Sequence, residues 1–298
     1  MNRRNLLTIA AIGIAAGCVT IGVPAATGHL AYGVPATSYT VYEIVDTILT
    51  EMTPPQGEAS AVTSASSTTL LLESLRSTSV SGSVASTFKQ SSALSALSGR
   101  MRIRGRVRGF DATRSTPAAG VVSGDLDDVS GYLLAMISRH GLDELVSFPA
   151  VSGAAANDYL FPMLGHALFP RMPTAWVDPG DSWVDTVTVT DDGEGASPAT
   201  TWIRTHTLVG DTLVKGLMLI HIAVASKVTM EGATEGEGMP ITGKVTGTMN
   251  GSIMWDPERR MVAYAEYHRD WRVAATESGE TSRPARTITG PTRIWRTR

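Results

Sequence analysis

Cysteine is almost missing from this 298-residue chain: Cys18 stands alone. Lysine is scarce, at four against twenty-one Arg, and only five Phe are present. No disulfide can form within the chain, and no pair of thiolates can hold a metal. A surplus of one charge is lacking too. The 25 basic and 28 acidic residues leave a formal net charge of -3, which excludes a generic polyanion binder, so nucleic acid is not an expected partner. The G-x-S-x-G elbow, the P-loop and the H-E-x-x-H helix are all absent, and no cofactor is expected.

What remains is the composition of a packed protein, 43% apolar and 18% charged, with 29 Gly and 15 Pro. Arg3 and Arg4 precede an uncharged stretch from Leu6 to Ala26, the pattern of an export signal. Val23 and Ala25 stand where signal peptidase prefers small residues. The segment Ala15, Ala16, Gly17, Cys18 competes with that site as a lipobox, which makes Cys18 a candidate for lipidation. The stretch is also long enough to serve as an uncleaved anchor. Arg3-Arg4 suits a twin-arginine signal as well as an ordinary one. Each fate places the bulk of the chain outside the cytoplasm, whether periplasmic, secreted or attached to the envelope. Residues 1–26 are therefore read as export signal and 27–298 as one β-rich domain.

Downstream the dominant period is two. Tyr39 to Ile48, Ser79 to Val84, Trp183 to Thr190 and five segments between Thr200 and Trp295 alternate as strands do. Turns are expected at Val209 to Thr212 and at Asp256 to Arg260, with Asn250-Gly251 either a third turn or a bulge. Two helices are expected. Ser130 to His140 follows Asp125, Asp127 and Asp128 and stops at Gly141; Pro162 to Phe169 is closed by Pro170. The fold class is mainly β, a strongly curved antiparallel sheet or incomplete barrel with two covering helices.

Candidate chemistry is sparse. Ser86-Thr87-Phe88-Lys89 matches the S-x-x-K of penicillin-recognising serine enzymes, but the partner motifs are missing and the stretch from Ser60 to Ser98 holds 19 Ser or Thr in 39 positions. His206, His221 and His268 allow a metal site without specifying one, and the acidic loops 191–195 and 231–238 read as solvated turns. Two features stand out. Arg100, Arg102, Arg104, Arg106 and Arg108 alternate with small or apolar residues, so a strand would line all five along one face, about 6.6 Å apart. Repulsion at that distance is about 0.6 kcal/mol in water, which leaves a solvated face and an anion-binding face both open. The second feature is an apolar segment holding Phe148, Tyr159, Phe161, Met163 and Phe169, either a core helix or a lid over a ligand cavity.

The passage Phe169-Pro170-Arg171-Met172-Pro173, followed by Pro179-Gly180-Asp181-Ser182-Trp183, resembles a recurring "FPxxP, then PGDxW" stretch in exported bacterial proteins of unknown function. At fold level the mix of long antiparallel strands and few helices is similar to the periplasmic lipoprotein carriers, which are open half-barrels. That resemblance implies a half-barrel and transfers no catalytic residue. The expected function is a non-enzymatic envelope protein that binds an apolar or lipid-like ligand and associates with a membrane surface. A ligand-free surface or assembly module is the alternative, and an exported S-x-x-K hydrolase ranks third.

Overall fold

The computed structural model describes residues 30–33, 39–53, 59–75, 100–117, 120–153, 160–190, 199–236, 239–277 and 285–297. Its long strands are β1 (Tyr39–Thr53), β2 (Ser60–Leu75), β3 (Met101–Thr116), β9 (Ser182–Thr190), β10 (Ala199–Val214), β11 (Leu217–Gly236), β12 (Met239–Asp256), β13 (Met261–Glu277) and β14 (Ala285–Arg296). Shorter strands are β4 (Gly120–Gly124), β5 (Val129–Ser130), β6 (Leu133–Ser138), β7 (Gly141–Ser147) and β8 (Ala150–Val151), and the single described α-helix is α1 (Leu160–Leu168). One antiparallel sheet runs β7-β6-β3-β2-β1-β14-β13-β12-β11-β10-β9, with β4 beside β3, while β5 and β8 pair apart from it. β14 lies between β1 and β13, so the N-terminal and C-terminal strand groups form one sheet.

The sheet curls without closing. Gly165 of α1 leaves room for Leu145 of β7, to which an added Cβ would come within 3.2 Å, and the carbonyl of the next residue, His166, accepts a 2.9 Å hydrogen bond from Arg204 of β10. Nine strand intervals separate β7 from β10; laid flat they would span about 43 Å, whereas a helix is about 10 Å thick. The sheet therefore wraps α1, and its edges β7 and β9 face each other across an unpaired seam. Glycines make the tight strand approach possible. A Cβ at Gly247 would lie 2.1 Å from the Asp270 carbonyl oxygen, and one at Gly251 would lie 2.0 Å from that of Glu266.

The concave face holds the main core, including Tyr42 and Ile44 (β1), Leu70 and Leu72 (β2), Ile103 (β3), Ile222 (β11), Ile253 (β12) and Tyr267 (β13), with Leu164, Leu168 and Phe169 around α1. Residues 30–33 cross one mouth of the curl. The Tyr32 N–H donates to the Arg139 carbonyl, its ring meets Trp255 edge-on at 4.8 Å, and Arg260 Nε donates to the Ala31 carbonyl.

Only one of the two expected covering helices forms. The segment Ser130 to His140 contains β6 instead, and Asp125, Asp127 and Asp128 belong to a capped 3-10 turn at Leu126–Asp128. The reason is burial on both faces. Leu133, Ala135 and Ile137 point into the main core, whereas Leu134 and Met136 are buried on the convex side with Leu75 and Val146, so the strand reads as a continuous apolar run. The turn expected at Val209 to Thr212 is a bulge at Gly210 inside β10, and the hairpin turns at Lys215-Gly216, both with positive φ. Residues 231–236, expected as a loop, continue β11. Asn250-Gly251 lies in β12 with its register unbroken, and Asp256 Oδ1 accepts from the Glu258 and Arg259 N–H groups to close the expected turn there.

Ile103 and Val107 are buried on the concave side of β3. Ile103→Asp or Val107→Asp should destabilise the fold by about 3 kcal/mol or more, because an unpaired charge would be buried; urea unfolding followed by circular dichroism measures it.

Candidate functional site

The arginine ladder keeps its expected face through Arg106. Ile103, Gly105 and Val107 are buried while Arg102, Arg104 and Arg106 are half-buried on the convex side. The register then shifts, since Thr69 pairs with Gly109 but Leu70 pairs with Val107, and burial passes to Phe110 and Ala112. Arg108 falls at that bulge, exposed. Arg100 precedes β3 and bonds Asp143 at 2.8 Å; Arg104 bonds Glu73 at 2.7 Å; Arg106 lies over the Tyr132 ring at 5.6 Å. Arg102 and Arg104 stand opposite Met136 and Leu134, which are buried on that side. Here the ladder carries partners and covers apolar surface.

The apolar segment is divided. Phe169 is buried in the core, and Phe148 is 42% exposed. Phe161 and Met163 belong to α1, with side chains outside the described residues, as are Tyr159, Cys18, Ser86 and Lys89. The FPxxP and PGDxW residues carry the chain across the seam. Leu142 N–H of β7 donates to the Phe169 carbonyl, Met172 N–H to the His140 carbonyl, Trp183 Nε1 to the Arg171 carbonyl at 2.8 Å, and Gly180 N–H to Leu208 of β10. His206 and His221 do not pair: they stand opposite Val224 and Gly210, and among the described residues no histidine or carboxylate cluster suits a metal.

A different set of side chains gathers on the concave face beside α1. Asp185 of β9 stands opposite Arg204 of β10, Arg204 opposite Ser226 of β11, and Met249 of β12 opposite Arg269 of β13. Ser226 Oγ donates to the Met249 carbonyl, which continues the row. Arg204 bonds Asp185 and the His166 carbonyl; Arg269 bonds Asp46 of β1 and Thr292 of β14, and Thr292 Oγ1 donates to Asp46. Arg269 and Asp46 are 2% and 1% exposed, and Arg204 and Asp185 are equally enclosed. Beside them His206 stacks on Trp183 at 5.3 Å, and His166 meets Trp202 edge-on at 5.5 Å.

Burial, reinforced by the Arg204 charge, pushes both His166 and His206 down to about 3; Arg171 adds to the effect at His166. Both imidazoles are neutral at ordinary pH. Arg204 and Arg269 balance Asp185 and Asp46 inside the belt, and the half-exposed Arg171 reaches Asp185 at 3.9 Å from its rim. Sequence reasoning passed over it because Arg204 and Arg269 look like solvated strand residues. The available signal was their neighbours on the same face, Trp202 and His206 in one strand and Tyr267 and Trp271 in the other.

No family model matches the chain, and no curated protein does. Among solved structures, an outer membrane channel from Pseudomonas putida F1 is similar at 8% identity and a TM-score of 0.26, over 89% of this chain and 97% of that one. The β domain of a Bordetella autotransporter follows at 9% and 0.22, over 87% and 99%. These likenesses are too shallow to bear on function. An outer-membrane barrel turns an apolar band outward. Here the convex face exposes Lys227, Lys244, Asp270, Arg272 and Arg293 together with Val184, Ile203 and Val209, and the main core lies on the concave face.

The depressed histidines set a pH dependence. The unfolded chain binds a proton at His206 near pH 6.5 and the folded one only near 3, so this contribution to stability is complete above about 6.5 and is lost as pH falls toward 3, at up to about 1.4 kcal/mol per pH unit. His206→Phe should keep the Trp183 stack and roughly halve that slope, leaving the part due to His166, as thermal melts between pH 4 and 7 would record.

Proposed function

We propose that the protein is a non-enzymatic, exported envelope protein that holds an apolar or lipid-like ligand inside the curled sheet. The observation that carries this reading is the seam: an apolar concave face whose two edges, β7 and β9, are bridged by α1 and the residues following it instead of by strand pairing. A route that opens by moving one short helix involves few backbone hydrogen bonds, whereas a closed barrel would have to break a strand ladder. On this reading the Phe148 to Phe169 segment acts as the lid. The export signal read in residues 1–26 gives the location.

Protein purified from its own envelope should release a lipid into organic solvent, seen as a mass difference in native mass spectrometry, and the stripped protein should bind diphenylhexatriene. Stripped protein that leaves the dye dark overturns the reading.

One observation favours an interaction module instead. The β10-β11 hairpin exposes Leu213, Leu217 and Met218 at 60%, 54% and 48% around its Lys215-Gly216 turn. Beside them lies an open cleft of about 850 Å³, lined by Tyr39, Leu217, Met218, Asp256, Arg259 and Arg296. Exposed apolar side chains clustered at one tip are characteristic of contact surfaces. Leu217→Asp with Met218→Asp should change stability by no more than about 0.5 kcal/mol each, as surface substitutions do. Self-association or vesicle binding measured by sedimentation should fall if this tip makes contacts.

A further inference from the structure

We infer that the ligand is an acyl ester whose carbonyl docks on the polar belt around Arg269 and whose chain lies along the tryptophan layer beside it. The inference rests on the proposed ligand-holding function and adds the chemistry of the ligand.

The belt presents hydrogen-bond donors that nothing in the protein accepts from. Arg269 Nε and Nη1, Arg204 Nε and Trp202 Nε1 are buried without a partner. Their residues are 2%, 4% and 6% exposed. Buried donors on charged groups are normally satisfied, and a cluster of unused ones on one face points to a group that arrives from outside the chain. Asp185 Oδ1 and the His206 ring nitrogens are unpartnered too, but donors outnumber acceptors and those on Arg269 have no free acceptor beside them on Asp46 or Thr292, so the group that docks there must be an acceptor. A carboxylate and a carbonyl both qualify by geometry, and charge separates them. Asp46 already balances Arg269 and Asp185 balances Arg204, His166 and His206 are neutral, and the further arginine, Arg171, meets Asp185 from the solvent-exposed rim at 3.9 Å, so a carboxylate bound at Arg269 would bring an uncompensated negative charge into an enclosed site. An ester carbonyl brings none.

The apolar part of the ligand has its place in the next layer. Ile48, Val187, Trp202, Val228 and Trp271 form a second buried cluster with Val245 and Ile288. Each of the first five lies two positions from a belt residue on the same strand, beside Asp46, Asp185, Arg204, Ser226 and Arg269 respectively. Side chains two apart on a strand share a face about 6.6 Å apart. A carbonyl at the belt thus starts a chain directly against two indoles and five aliphatic side chains.

The test compares three stripped-protein ligands of equal chain length, a pyrene-labelled methyl ester, its free acid and its hydrocarbon. The double variant Asp46→Asn with Arg269→Met removes both charges of one pair, leaving no lone buried ion. The parent should bind the ester about tenfold more tightly than the hydrocarbon, as expected of a carbonyl on a charged donor, and the double variant should bring that ratio close to one. Trp202→Phe, which deletes a single donor and keeps a ring, should lower the ratio by about threefold and serves if the double variant melts early. An equal ester and hydrocarbon affinity in the parent, or a ratio unchanged in both variants, overturns the belt as the site. Tighter binding of the free acid overturns the ester assignment. If none of the three binds, the ligand-holding function itself fails.

Discussion

Everything in this molecule depends on the sheet meeting itself across α1. A flat sheet of such long strands would leave its apolar face open to water, and a closed barrel would satisfy its edges by pairing. This chain takes neither course. Leu145 and Arg204, from strands near opposite edges, touch adjacent residues of one nine-residue helix, so the helix occupies the space that two further strand pairings would have taken. The core, the seam and the enclosed belt all follow from that contact.

The belt explains why so many polar atoms tolerate burial. Each arginine sits against a carboxylate and at least one further acceptor, which meets part of the cost of removing its charge from water, while Arg269 Nε and Nη1 and Arg204 Nε stay unpaired. The tryptophans flank the pairs and exclude water from them, with the Arg269 guanidinium 5.6 Å over the Trp271 ring. The interior is thereby graded from the aliphatic core around α1, through a neutral polar row, to an indole-rich layer.

Much of this architecture was legible in the residues, because period-two alternation survives wherever one face of a strand is wet. The strands from β9 to β14 and the Asp256 turn show it. Legibility failed where that condition failed. β6 is dry on both sides, so Leu133 to Ile137 has no period to read and mimics a helix face. The Gly210 bulge imitates a turn, since the glycine that permits a positive φ is the same in both, and only the partner strand's register separates them. The belt was hidden for another reason. Alternation marks which residues turn inward but not that an inward residue is charged, and pairs such as Asp46 with Arg269 are 223 positions apart.

The placement of β14 has a consequence for how the chain becomes a protein. Ten of its twelve residues pair with β1 on one side and ten with β13 on the other, joining the first strand described to the last hairpin. Until that strand is available, both β1 and β13 present long unpaired edges, and Asp46 lies far from the arginine that neutralises it. Sequence-distant pairings of this kind are slow to form and leave sticky intermediates meanwhile. Neither strand group completes its edges without β14, so assembly of the sheet waits on that strand.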